Sequence, residues 1–326
     1  MNVRNSYNYF RNNGVDKMST VAIIMATYNG EKYIREQLDS ILNSTYQDFE
    51  LFIYDDGSRD ETMAILKGYE ETYPTKLHVH QNRVNLGVTA NFLQATLNTT
   101  LDYIMFCDQD DVWKPDKIAK TLKRITNLET QLGKDLPLAV FTDTLVVDKE
   151  LNILNNSFFC SNHLNPRKTD LPHILMENKL IGCTVMVNSA LRKQLQAHRL
   201  PTQARFHDWW IAILASSMGK IGFLNEGTLL YRQHGGNVVG GNGFLPYVKN
   251  RITALQKQKT ALEQLYRQAA EFLIIYEDEL SEEKKKILQE FCNLEHEGFV
   301  KKRIHLIKYG FLKTGLTRNL GLIIII

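Results

Sequence analysis

Apolar positions in the first 110 residues fall into two alternating patterns. Short uninterrupted runs end in polar turns, and stretches with apolar residues three or four apart follow them. The first run, Val21-Ala22-Ile23-Ile24-Met25-Ala26, predicts a strand buried on both faces and ends at Thr27-Tyr28-Asn29-Gly30; Ile34, Leu38, Ile41 and Leu42 then recur at helical spacing. The pattern repeats. Phe49 to Tyr54 leads into Asp55-Asp56-Gly57-Ser58 and a helix from Met63, Ile65 and Leu66. Leu77 to His80 is followed by Asn85-Leu86-Gly87 and a helix with Phe92, Leu93 and Leu97. Tyr103 to Cys107 runs into Asp108-Gln109-Asp110-Asp111. Strand, polar turn and helix in succession predict right-handed crossovers and an α/β fold with a mainly parallel central sheet flanked by helices.

The second half is less regular. Leu138 to Val147 and Cys183 to Val187 read as strands, Asp208 to Ser217 as a helix, and Ile221 to Phe223 and Thr228 to Tyr231 as two short strands before the glycine-rich stretch Gly235 to Gly243. That stretch divides the chain into a polar arm (1–18), a catalytic domain (19–243) and a helical C-terminal extension (244–326). Val248, Ile252, Leu255, Leu262, Leu265, Ala269, Phe272 and Tyr276 predict a long amphipathic helix whose stripe needs its own domain, the next helix or a second subunit as partner, which leaves a homo-oligomer through these helices open. Residues 281–295 read as a shorter helix. After Glu297 the chain has no acidic residue, and Lys301, Lys302, Arg303, Lys308, Lys313 and Arg318 alternate with large apolar side chains up to Ile326. Such a segment suits an anionic membrane surface, with packing on the domain as the rival.

Composition narrows the class. The 326 residues are 44% hydrophobic and carry a net charge of +3, so the chain has a sizeable core and no global nucleic-acid footprint. Cys107, Cys160, Cys183 and Cys292 form no close pair, as expected of buried thiols in a reducing compartment. The N-terminus lacks an apolar signal core, and no apolar run reaches the roughly 18 to 20 residues of a spanning helix. The expected location is cytoplasmic, peripheral to the inner face of the membrane.

In an α/β sheet the ligand crevice lies outside the carboxyl ends of the strands, where four polar clusters fall here: Thr27 to Glu31, Asp55 to Ser58, Asn82 to Gly87 and Asp108 to Asp111. Three carboxylates in four residues repel one another unless a cation sits among them, and a hard divalent ion, Mg²⁺ or Mn²⁺, meets that demand. Asp111 can instead cap the helix that Pro115 helps to start. No G-x-G-x-x-G or Walker A loop follows the first strand, which excludes dinucleotide and P-loop enzymes. His207-Asp208-Trp209-Trp210 offers either a carboxylate beside an aromatic wall, suited to a general base, or a helix cap with core tryptophans. Arg232 can clamp phosphate oxygens, and His234 can do the same or complete a metal shell.

Taken together, Ala26-Thr27-Tyr28-Asn29-Gly30, Asp55-Asp56-Gly57-Ser58, Asn85-Leu86-Gly87, Asp108-Gln109-Asp110-Asp111-Val112-Trp113, His207-Asp208-Trp209-Trp210 and Arg232-Gln233-His234 resemble the family 2 glycosyltransferases of GT-A fold, and among them bacterial rhamnosyltransferase-like enzymes of cell-wall and capsular polysaccharide synthesis. The resemblance implies that Thr27, Asn29 and Glu31 lie in the nucleotide loop, and that Asp55 or Asp56 recognises the pyrimidine with Arg83 nearby. It implies Asp108 and Asp110 as the D-x-D pair, Asp110 on the metal with His234, Arg232 at the diphosphate, and Asp208 as catalytic base. His207 stands where the family more often has an acid. The implied reaction is inverting transfer of L-rhamnose from dTDP-β-L-rhamnose to a hydroxyl of a lipid-linked saccharide acceptor. The alternatives are a UDP-hexose or UDP-N-acetylhexosamine transferase and, from another class, a non-catalytic sugar-nucleotide-binding protein.

Overall fold

The computed structural model describes residues 20–234 and 251–326. The arm at 1–18, the glycine-rich stretch 235–243, the boundary at 243/244 and the helix start at Val248 lie outside the described residues. The strands are β1 (Val21–Thr27), β2 (Phe49–Asp55), β3 (Leu77–Gln81), β4 (Tyr103–Cys107), β5 (Val112–Trp113), β6 (Leu138–Val147), β7 (Ile153–Asn155), β8 (Met186–Asn188) and β9 (Lys220–Arg232). Helices α1 (Ile34–Leu42), α2 (Thr62–Thr72), α3 (Val88–Thr96) and α4 (Lys117–Leu132) alternate with the first strands. They are followed by α5 (Phe158–Ser161), α6 (Leu171–Met176), α7 (Ser189–Ala197) and α8 (His207–Met218), and then by α9 (Arg251–Tyr276), α10 (Glu282–Asn293), α11 (Phe299–Lys308) and α12 (Leu316–Ile325).

All described strands join one sheet in the order β3-β2-β1-β4-β8-β6-β9-β5, with β7 on β6. The first four are parallel, as the repeating pattern predicts. β8 runs antiparallel to β4 and to β6, β9 parallel to β6, and β5 and β7 antiparallel to their neighbours, so the sheet as a whole is mixed. Alternation along β1 explains why the apolar run is buried from Val21 to Met25, with only Ala26, at the crevice end, half-buried. Val21, Ile23 and Met25 pack with Ile34, Leu38 and Ile41 of α1 on one face, and Ala22 and Ile24 join Phe92 of α3 and Trp210 of α8 on the other. The chain moves from β1 outward to β3, then returns to place β4 on the other side of β1. The resulting switch point opens a crevice at the carboxyl ends of β1 and β4.

Several sequence expectations need correction. Residues 221–231 form one strand, not two: the polar Asn225-Glu226-Gly227 segment lies where the β6–β9 register shifts, so a bulge carries the residues that break the apolar pattern. The Cys183 to Val187 strand begins only at Met186, because Gly182–Thr184 forms a 3₁₀ turn against α8. Asp111 caps no helix: its carboxylate is buried and accepts from the Arg232 N–H at 3.1 Å, while α4 starts after Asp116.

The stripe of α9 finds its partner within the same chain. Leu262, Leu265, Ala269, Phe272 and Tyr276 are buried in one core with α8, where Trp210 meets Phe272 edge-on at 5.2 Å. Polar bonds fix its register: buried Glu271 accepts from the Thr202 and Gln203 N–H groups and pairs with Arg199 at 2.7 Å, and Gln268 accepts from the Arg205 N–H at 2.8 Å. The terminal helices pack too, through Leu306, Phe311 and Leu322. Arg318 binds Glu177 at 2.8 Å, and Thr314 is held between Glu177 and Lys179. No helix among the described residues is long and apolar enough to cross a membrane.

Candidate active site

A cavity of about 740 Å³ opens at the switch point, within the range of small-molecule sites. Thr27, Asp56, Asp108 and Asp110 line it from the strand ends, Asp208 from α8, and Gln258, Leu262, Leu265 and Lys313 from the C-terminal extension.

The loops at this edge are bound to one another before any ligand arrives. Asp55 is fully buried: one oxygen accepts from the Thr27 hydroxyl at 3.0 Å and from Ser58 Oγ, the other from the Gly57 and Ser58 N–H groups at 3.1 and 2.9 Å. Asp56 braces the third loop, accepting from Asn82 at 3.0 Å and from the Leu86 and Gly87 N–H groups at 2.8 Å each, yet it also lines the cavity. Of the two acids, only Asp56 faces the ligand space. Asn29, at a φ of +50° that asparagine tolerates, accepts from the Arg59 N–H at 2.9 Å, and Glu31 accepts from the Glu61 N–H at 2.9 Å. Both side chains therefore fasten the first loop to the second. Arg83 is exposed on the third loop.

Gln109, which the sequence reading left without a role, joins the first loop to the acidic one. Its carbonyl accepts from the Tyr28 N–H at 2.9 Å and its amide donates to the Tyr28 carbonyl at 3.1 Å. This lies directly over Gly30, where an added Cβ would meet Gln109 Oε1 at 2.3 Å. Gly30→Ala is expected to expel that amide, cost about 1–2 kcal/mol for the two lost bonds, and weaken nucleotide binding more than it lowers the melting temperature. Parallel denaturation and calorimetry check it; unchanged nucleotide affinity would remove the Gln109 bridge from the binding site.

Electrostatics concentrate at the acidic turn. Burial, then the charges of Asp110 and Asp208, push Asp108 up to about 7. Burial raises Asp111 well above the carboxylate range, and its Oδ2 has no hydrogen-bond partner. Asp108, Asp111 and Cys183 bring ligand atoms within 4.8 Å of one another, but burial pushes the Cys183 thiol up and keeps it protonated. The oxygen donors are thus the ones suited to a hard cation. His234 Nε2 stands 2.8 Å from Asp110 Oδ2.

Arg232 is placed differently from a mobile phosphate clamp. It is buried, its Nε donates to the Asp110 carbonyl at 2.8 Å, one terminal nitrogen donates to the Lys149 carbonyl at 2.7 Å, and the other pairs with Glu36. Its visible work is to hold β9 against the acidic turn. Asn29, Glu31, Asp55, Arg83, Arg232 and His234 lie outside the described cavity lining.

Across the cavity, α8 begins after Phe206, so Asp208 occupies the first turn and is not the cap. Both following tryptophans are buried; Trp209 donates to the Ile174 carbonyl at 2.6 Å. Burial pushes Asp208 up to about 7, against hydrogen bonds from the Trp209 N–H, Asn178 and the Gly182 N–H, and its Oδ1 has no partner. His207 stacks on Phe92 at 4.1 Å, and burial holds it neutral by lowering it to about 3. A Cβ on Gly182 would come within 2.9 Å of His207 Nε2, so glycine lets the 3₁₀ turn approach. A raised carboxylate with a free oxygen, facing a second acidic group, is equipped to take a proton at neutral pH.

Residues 22–193 match Glycosyl transferase family 2. The dTDP-rhamnosyl transferase RfbG of Shigella flexneri is 28% identical over 231 residues, 67% of this chain and 74% of that protein. The teichuronic acid biosynthesis glycosyltransferase TuaG of Bacillus subtilis, a tentative assignment by its own description, is 27% identical over 213 residues, 65% of this chain and 78% of that protein. Among solved structures, S. aureus TarS 1-349 in complex with UDP-GlcNAc superposes with a TM-score of 0.56 at 20% identity, over 88% of this chain and 75% of that one. The mannosyltransferase PcManGT of Pyrobaculum calidifontis, in complex with GDP-Man and Mn²⁺, gives 0.55 at 17% identity, over 94% and 79%. These folds and the match over more than half of the sequence identify the chain as a member of glycosyl transferase family 2 with a GT-A-like fold, a glycosyltransferase that moves a sugar from a nucleotide-sugar onto an acceptor.

Proposed function

We propose that the cavity carries out inverting, divalent-ion-dependent transfer from a pyrimidine nucleoside diphospho-sugar to a saccharide hydroxyl. The observation that supports it most is the pairing across one cavity of a raised, half-satisfied Asp208 with the repelling carboxylates Asp108 and Asp110. Asp56 is the acid placed to accept the N3–H of a pyrimidine, in preference to Asp55. Thr27 lines the cavity beside it, with Asn29 and Glu31 shaping the same loop. Asp208 takes the proton of the acceptor hydroxyl as that oxygen attacks the anomeric carbon opposite the diphosphate. One carboxylate suffices on the attacking side, since a neutralised diphosphate leaves without protonation.

A divalent cation fits the donor set: clustered carboxylates whose charges raise Asp108, and an imidazole on Asp110. Asp110 and His234 would hold Mg²⁺ or Mn²⁺, with Asp108 toward the ribose or sugar, and the ion would neutralise the departing diphosphate. Arg232 supports this reading as the brace of the Asp110 turn.

The relatives named above include proteins described with dTDP-rhamnose, UDP-GlcNAc and GDP-mannose. This range favours the broader alternative over a commitment to rhamnose. UDP-hexoses and UDP-N-acetylhexosamines are the first donors to test, with dTDP-β-L-rhamnose beside them. Incubating the protein and Mn²⁺ with these donors and a lipid-linked saccharide, followed by mass spectrometry and NMR of the new linkage, is expected to give one inverted product. A retained configuration, or nucleotide-sugar binding without transfer or hydrolysis, would overturn the proposal.

The acceptor is proposed to lie at an anionic membrane surface. Val300, Ile304 and Ile307 are exposed on one face of α11, and Leu316, Leu320 and Ile324 on α12, while Leu306 and Leu322 face the core. Arg303 and Lys308 flank the exposed face, whereas Lys302 donates to the Glu295 carbonyl on the opposite side, Lys301 pairs with Glu297 and Arg318 with Glu177. Because Leu306, Phe311 and Leu322 are buried, removing the tail would open the core; point substitution is the cleaner test. Ile304→Glu with Ile307→Glu is expected to reduce sedimentation with phosphatidylglycerol vesicles several-fold without altering the melting profile. Equal sedimentation would leave this face as a candidate subunit contact, to be checked by light scattering.

A further inference from the structure

The acceptor side of the cavity carries two cations that the donor chemistry does not use. Arg205 and Lys313, 108 positions apart, both line it and are both half-buried. Among the described residues no carboxylate lies within salt-bridge distance of either, although Glu177, close enough to act on Lys313, is already bound to Lys179 and Arg318. The backbone of each is held in place. The Arg205 N–H donates to Gln268 at 2.8 Å, and its guanidinium lies over the Phe206 and Trp209 rings at 5.8 and 5.4 Å. The Lys313 N–H donates to Asn319 at 2.8 Å. Burial pulls both cations below their ordinary range, and the charge of Arg205 acts on Lys313 in the same direction. Two partly desolvated like charges kept on one wall are costly unless an anion joins them.

What lies next to them describes the rest of that ligand. Ala261, Leu262 and Leu265 of α9 line the same cavity as an apolar strip, and Leu164 and Phe159 add to it. We propose that Arg205 and Lys313 form the seat for the phosphate or diphosphate of the acceptor, whose alkyl chain lies along α9 while its sugar hydroxyl reaches Asp208. This rests on the transferase reading and specifies the acceptor as a phosphate-linked lipid glycan. The Arg guanidinium supplies forked donors and the Lys ammonium a point charge, a combination suited to adjacent phosphate oxygens.

The test uses binding, not turnover. Decyl diphosphate is titrated into the full-length protein in EDTA, which removes metal-dependent nucleotide binding, and followed by intrinsic tryptophan fluorescence, to which Trp209 beside Arg205 contributes. It should bind at least about tenfold more tightly than decyl glucoside, which carries no charge, and more tightly than inorganic pyrophosphate, which lacks the chain. Arg205→Met with Lys313→Met should erase the preference for the charged probe, and Arg205→Lys should keep part of it. Equal affinity for the charged and uncharged probes in the wild type would overturn the proposal without any variant, as would an unchanged preference in the double variant. Pyrophosphate binding as tightly as decyl diphosphate would assign the seat to a free anion and also overturn it. Mn²⁺-dependent binding of UDP, measured separately by calorimetry, tests the donor reading, so failure of one is distinguishable from failure of the other.

Discussion

Replacing Asp208 with Asn is expected to lower turnover at least about 100-fold while making the metal-free protein more stable above neutral pH. The first effect follows from the loss of the proton acceptor, within the range typical of a positioned general base. The second has the sign set by burial. Asp208 is raised from 3.8 to about 7 in the folded protein, so between those values the native state holds a proton that the unfolded chain has released. Stability therefore falls as pH rises through that window, and above about 7 the full cost of a buried, ionised carboxylate is present. Asn removes that cost. Melting curves at pH 5 and pH 8 should show a clearly larger gain for the variant at pH 8 than at pH 5, where only part of the window has been crossed, while Mn²⁺-dependent UDP affinity changes little. In the wild type the transfer rate should rise with pH along a limb near 7, shifted lower once a cation and donor are bound, because positive charge favours the ionised carboxylate. Near-normal turnover in the variant would pass the base role to another group. Asp108, raised to about 7 in the same cavity, would be the first to examine, ahead of His207, which burial leaves too weak a base.

Much of this arrangement was legible because strand ends in a parallel sheet converge. A reader of the sequence can place Thr27, Asp56, Asp108 and Asp110 at one edge, since each follows a run of apolar residues and the crossover rule fixes which edge that is. The same reasoning cannot tell Asp55 from Asp56. Adjacent residues point to opposite sides, and only the bonds from Thr27, Gly57 and Ser58 show that Asp55 faces inward. Arg232 reads as a phosphate ligand for a similar reason: sequence shows a cation near a glycine loop but not the Lys149 carbonyl or Glu36 that engage it. Asn178, Arg205 and Lys313 carry no motif at all, and Gln109 sits inside the acidic motif without a role of its own. Gln109 had a signal in hindsight, a polar side chain between two acids opposite a required glycine. Lys313 had none, because its place depends on how α9 and the tail fold back over α8. The antiparallel β8 and the bulge in β9 were missed where local polarity followed packing rather than the period of a strand.

Asp110→Asn should separate a metal ligand from a structural brace, because the two roles predict opposite changes in stability. If Asp110 is a ligand, neutralising it removes an anionic donor where the diphosphate also needs charge compensation. Mn²⁺-dependent UDP affinity should then fall by more than the roughly 10- to 100-fold that loss of a mere supporting partner costs at a metal site. The metal-free protein should be slightly more stable, since the Asp110 charge is one of the causes that raise Asp108 to about 7 and repulsion within the turn would be relieved. If Asp110 serves instead to anchor His234 through the 2.8 Å contact, the variant keeps most of its metal-dependent affinity and loses stability. His234→Gln gives the complementary measurement. It preserves a neutral donor near Asp110 but not an imidazole ligand, so a ligand role predicts a smaller fall in Mn²⁺-dependent affinity than Asp110→Asn, with Asp110 still able to bind the ion. Calorimetric titration of UDP with and without Mn²⁺, paired with thermal denaturation of the same samples, reads both quantities. Unchanged affinity in Asp110→Asn would exclude this carboxylate from the metal and leave Asp108 as the acid through which any cation must be held.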